Sequence, residues 1–90
     1  MPKFVIERDI PGAGSLTPAQ LREASKKSCD VVDALAPGLQ WIQSYVTGDR
    51  LYCIYFARDA ASIEEHARRS GFPASRIARV AAVIEPATAE

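Results

Sequence analysis

Along the chain the spacing of apolar positions switches between two and three-to-four, and the switches delimit the elements. Lys3–Ile10 (KFVIERDI) opens as a β-rich run with Phe4, Val5 and Ile6, then gains charge at Glu7, Arg8 and Asp9 as it leaves the core. Pro11-Gly12-Ala13-Gly14 ends that strand, because Pro lacks a ladder donor and Gly favours loop geometry. Thr17-Pro18 reads as an N-cap followed by Pro at the first helical position, and Gln20 completes a capping box. The helix runs to about Ala36, with Leu21, Ala24, Ser25, Ser28, Val32 and Leu35 as its inward stripe and Pro37-Gly38 as its stop. Two β-favouring runs, together Gln40–Ala57, then flank Gly48-Asp49, where a positive φ at Gly48 is expected to turn a hairpin. Asp59 or Ser62 caps a second helix over about Ala60–Ser70, with Ile63 and Ala67 inward and Gly71-Phe72-Pro73 closing it. Ser75–Ala78 reads as a short turn and Arg79–Glu85 (RVAAVIE) as the last strand. The chain is therefore one domain over 1–86 with a tail at 87–90.

The order β-α-β-β-α-β, with right-handed crossovers in each half, gives an α+β ferredoxin-like plait: a four-stranded antiparallel sheet with both helices on one face. The uncovered face must be polar, bind something, or pack on a second subunit. An even loop at Gly48-Asp49 pairs Val46 with Leu51, Tyr45 with Tyr52, and so on to Trp41 with Phe56. One face of the hairpin then holds Trp41, Gln43, Tyr45, Tyr52, Ile54 and Phe56, and the other Ile42, Ser44, Val46, Leu51, Cys53 and Tyr55. The second set is smaller and more aliphatic and is assigned to the helices. The first is then the open face, too aromatic to stay wet. It is expected to seal a homodimer, sheet against sheet, as a dimeric α+β barrel whose interior could also hold a small ligand.

Composition narrows the functional classes. Lys+Arg and Asp+Glu each number 11, so there is no basic excess to hold a nucleic-acid backbone. Apolar runs of about five residues fall far short of the roughly 20 that span a bilayer. Met1-Pro2-Lys3 leads straight into a strand, without the apolar core of an export signal, so the expected compartment is the cytoplasm. Cys29 and Cys53, far apart and in no CxxC spacing, are expected to be free and buried, Cys29 packing in the core from the first helix.

Candidate chemistry is sparse. Gly12-Ala13-Gly14 completes no phosphate-binding fingerprint, and there is no nucleotide or haem motif. A single histidine and no nucleophile elbow argue against enzymes that need a nucleophile-base-acid set. His66, the only histidine, borders the Ile63 and Ala67 stripe beside Glu64 and Glu65; a lone histidine is more often structural than a ligand. Glu7, late in a central strand, needs a partner if buried, with Arg8 or Arg79 at hand. Cys53 sits mid-strand, where a thiol usually fills a core.

Four stretches together carry a resemblance: PKFVIERDIPGAG at the start, QSYVTGDRLYCIYFA in the hairpin, EEHARRSGFPASRI in the second helix, and VAAVIEP near the end. They resemble a family of small bacterial proteins, catalogued mainly as a domain of unknown function, with a nickel-binding, nickel-responsive member. The resemblance covers nearly the whole chain and implies a ferredoxin-like subunit, a dimeric α+β barrel and metal binding. A nickel(II) site would take His66 with carboxylates such as Glu7, Cys53, water, and ligands from a second chain. No pair of histidines one turn apart and no CxxC exist, so a closed site within one subunit is not expected. The expectations are a non-enzymatic metal buffer or sensor; a small dimeric barrel enzyme, monooxygenase- or isomerase-like, with Trp41, Tyr45, Tyr52 and Glu7 around a hydrophobic substrate; or a purely structural dimer.

Overall fold

The alternating run at the start of the chain forms the first strand of the computed structural model, which describes residues 1–90. The elements are β1 (Lys3–Asp9), α1 (Pro18–Leu35), β2 (Leu39–Val46), β3 (Arg50–Ala57), α2 (Ala60–Ser70) and β4 (Arg76–Arg79), with short 3-10 turns at Ala13–Ser15 and Pro86–Ala89. The strands form one antiparallel sheet in the order β2-β3-β1-β4, the ferredoxin-like arrangement. Both helices pack on one face, over a core of Phe4, Ile6, Leu39, Cys53, Tyr55, Ala57 and Ile63.

Local chemistry sets the helix boundaries. Thr17 Oγ1 accepts from Gln20 N at 3.1 Å while Gln20 Oε1 accepts from Thr17 N at 2.9 Å, the capping box read from the sequence. Asp59, not Ser62, caps α2: its Oδ1 accepts from both the backbone N and the hydroxyl of Ser62. Gly71 ends α2 in the left-handed region at φ 78, which a Cβ would oppose.

The hairpin differs from expectation in three ways. Gly48 has no positive φ; the loop is instead held by its neighbours, with Gly14 N donating to Gly48 O and Gly12 N to Asp49 Oδ1. Gly14 is the glycine that matters here, since a Cβ on it would lie 3.0 Å from the Gly48 Cα. Second, the even register holds from Val46–Leu51 to Gln43–Ile54, then shifts at a β-bulge, so that Trp41 faces Tyr55 instead of Phe56. Ile42 is the extra residue and is exposed, and Trp41 crosses to the helix side, where it packs against the core. Third, Gln40 takes the place beside Phe56 on the open face.

The last strand is also displaced. β4 occupies Arg76–Arg79, where a turn was expected, and residues 80–85 have no regular structure. The reason is the length of its partner. Val80 N donates to Lys3 O, and beyond that point β1 has no residues left to pair. Val83 and Ile84 are left 66% and 82% exposed.

Candidate functional site

Strand alternation places Phe4, Ile6 and Arg8 of β1 in successive inward slots, and the third slot is filled by a cation. Arg8 is 1% exposed, opposite Leu51 of β3. Its Nη1 donates to Pro73 O at 3.0 Å and Phe72 O at 3.4 Å, and its Nη2 to the Tyr55 hydroxyl at 3.4 Å. All three acceptors are neutral oxygens, and none of the ion pairs in the molecule includes Arg8. The run of charges predicts that Glu7, Arg8 and Asp9 leave the core together; in the structure Arg8 alone of the three is buried. The alternation that begins at Phe4 was the signal that would have separated Arg8 from its neighbours.

Beside Arg8 runs a polar seam between the helices. Ile63, His66 and Ser70 recur at helical spacing on the inward face of α2, and Ser28 is the buried residue of α1. Ser28 Oγ and His66 Nε2 share a hydrogen bond at 3.1 Å, while His66 Nδ1 is buried without a partner. The imidazole ring lies 5.4 Å from the Tyr55 ring. Burial, and then the nearby Arg8 charge, lower the His66 pKa to about 4, against a smaller opposing effect of Ser28. His66 is therefore a neutral imidazole at pH 7. Burial likewise raises the Tyr55 pKa, with Arg8 opposing, so Tyr55 is a protonated phenol.

Next to this cluster, α1 stands off the sheet over a largely apolar cavity of about 500 Å³. Leu21 and Ser28 of α1 form its roof, and Trp41, Leu51, Cys53 and Tyr55 its floor. Trp41 Nε1 donates to Ser44 Oγ at 2.9 Å, which fixes the indole along the wall. A second depression, about 540 Å³, is only a groove among Glu23, Lys26, Lys27 and Asp30 on the solvated side of α1.

The expected metal ligands do not converge. His66 and Cys53 are buried on the helix side of the sheet. Glu7 projects from the opposite face, where it pairs with Arg50 at 3.2 Å and Arg76 at 3.7 Å, not with Arg8 or Arg79. No three His, Cys, Asp or Glu side chains in the chain are grouped so as to hold a metal. Both thiols are free, but Cys29 is exposed, contrary to the core position expected for it.

Of the residues expected on the open face, Gln43, Tyr45, Tyr52 and Phe56 are there with Ile54 and Val5, and Trp41 is not. Tyr45 is 56% exposed, and Gln43 Nε2 donates to its hydroxyl at 2.5 Å. The bulge thus takes the indole out of the expected aromatic pocket and puts it in the cavity beneath α1. No helix is long and apolar enough to cross a membrane.

Comparison with known proteins places this architecture. No curated protein matches the chain. The crystal structure of SCO4226 from Streptomyces coelicolor A3(2) has the same fold: TM-score 0.77 over 91% of this chain and 99% of that one, at 19% sequence identity. The family described as nickel responsive protein SCO4226-like matches residues 4–80. With most of its length matched from β1 through β4, the chain belongs to that family.

Proposed function

We propose that the protein is a non-enzymatic, nickel-responsive metal-binding protein that works as a homodimer, as a buffer or sensor. The match of residues 4–80 to a family described as nickel responsive carries the reading. The homodimer is supported by the uncovered sheet face, where Val5, Tyr52, Ile54 and Phe56 lie without a helix above them. Val83 and Ile84 add exposed apolar surface that a second copy would cover.

The residues of one chain do not fit a closed nickel site. The ion is therefore assigned to a site completed by the second copy, and metal binding and dimerisation should be coupled. Glu7 is the expected ligand that a sheet-to-sheet dimer brings to the interface. His66 offers an unprotonated ring nitrogen at pH 7, yet at 1% exposure it reaches a metal only if α1 and α2 part.

The test uses untagged protein, so that no added histidines compete. Nickel(II) is titrated by calorimetry into wild type, Ile54→Glu, Glu7→Gln and His66→Gln, with sedimentation run on each. Saturable binding is expected for the wild-type dimer, and loss of both dimer and binding for Ile54→Glu. A wild type that binds no nickel, or a monomeric Ile54→Glu that binds it equally well, would overturn the reading. Glu7→Gln and His66→Gln then report which side of the sheet faces the ion.

A further inference from the structure

Arg8 is a fully buried guanidinium whose recorded partners are two backbone carbonyls and a phenol. Carbonyl dipoles satisfy its N–H groups without neutralising its charge, and a buried charge ordinarily has a counter-charge. Its three partner residues, Tyr55, Phe72 and Pro73, all line the cavity under α1. Arg8 does not itself line the space: it lies directly behind Tyr55, Phe72 and Pro73, so its charge acts through the wall they form on a cavity that is largely apolar and large enough for a small organic molecule.

We infer that this cavity binds a small organic monocarboxylate, its apolar body between α1 and Trp41 and its carboxylate at the Arg8 end. Two hydroxyls are at hand to complete recognition. Tyr55 accepts from Arg8 and its hydroxyl also hydrogen-bonds with Ser28, so a carboxylate oxygen would take the Tyr55 proton in place of Ser28. Ser28 lines the roof and is tied back to His66, which holds the hydroxyl in place. Arg8 is in no ion pair, and the acidic Glu7 and Asp9 of the same strand lie on the far face of the sheet.

This inference does not rest on the nickel reading, and its test uses metal-free protein so that the two fail separately. Trp41, the only tryptophan, is the reporter, because it lines the cavity. Its emission is followed while octanoate (a flexible chain), 3-phenylpropanoate (a ring), octan-1-ol and octylamine are titrated into metal-free protein, below micellar concentrations. The expected result is saturable binding of at least one carboxylate, about tenfold tighter than octan-1-ol and tighter still than octylamine. Which carboxylate binds better tells whether a chain or a ring fills the space. In Arg8→Met, checked for fold by circular dichroism, octanoate and octan-1-ol should bind alike, while Arg8→Lys should keep part of the preference. An Arg8 that only clamps Phe72 and Pro73 would leave charge selectivity unchanged in Arg8→Met, and that result overturns the inference. Should Arg8→Met not fold, the wild-type comparison still decides, because equal affinity for octanoate, octan-1-ol and octylamine overturns it as well. So does a wild type whose Trp41 emission responds to neither carboxylate.

Discussion

Lowering the pH from neutrality to 5 should destabilise this protein through one side chain, His66. Its imidazole is 1% exposed, hydrogen-bonded through Nε2 to Ser28, near the buried Arg8 charge, and unpartnered at Nδ1. In the unfolded chain a histidine titrates near 6.5, whereas in the folded protein His66 does so at about 4. Between those values the unfolded state binds the proton and the folded state does not, so stability falls as pH falls. The contribution of neutral His66 is fully present above about pH 6.5 and gone below about pH 4. At pH 5 the loss relative to pH 7 is roughly 2 kcal/mol, or on the order of 10 °C in Tm for a domain of this size. Asp59 belongs to a lower window: hydrogen bonds from the Ser62 backbone and hydroxyl hold its carboxylate below the ordinary range. Thermal unfolding by circular dichroism is measured from pH 7 to 5 on wild type and on His66→Gln, whose amide can still reach Ser28. The wild type should lose Tm steeply and the variant much less. Equal pH slopes for the two proteins, or a His66 ring that NMR shows titrating near 6.5, would refute the reasoning.

Two other consequences are open to direct measurement. Thr17→Ala removes the hydroxyl that caps α1 and should cost about 1 kcal/mol in urea unfolding, with an unchanged m-value; no loss would mean that Pro18 alone starts the helix. With a thiol reagent in native buffer, Cys29 should react at once and Cys53 only on unfolding, because one is exposed and the other buried. Two thiols reacting together would contradict the packing of β3.

The features legible in the sequence are those that short-range chemistry sets. Thr17-Pro18-Gln20, Asp59 and Gly71 start and stop the helices through bonds to residues within four positions, and of these only the choice between Asp59 and Ser62 was left open by the sequence. The β-α-β-β-α-β order followed from these boundaries, and with it the plait, since right-handed crossovers leave little choice. The candidate site was less legible. His66 could be placed only at the border of the inward stripe of α2, and its burial against Ser28 and Arg8 depends on how the two helices and β1 meet. Glu7 and Cys53 are near neighbours across β1 and β3, yet the pleat sends them to opposite faces, so sequence position could not make them one site.

The amino-acid pattern by itself thus determined the two helices, the first three strands, the order of the elements, the capping box of α1, and the parity of the hairpin close to its turn. Three things were left to the tertiary structure. A bulge at Ile42, which no local residue announces, reversed Trp41 and moved the indole from the open face to the cavity. The end of β1 stopped β4 at Arg79, although the most β-like residues lie beyond it, because a strand extends only where a partner offers backbone groups to pair. Arg8 became a buried cation because a strand assigns inward slots by alternation, whatever residue falls there, and the β4 approach then closed over it. Each of these depends on contacts between residues far apart in the chain, and those contacts shape the cavity and its charge.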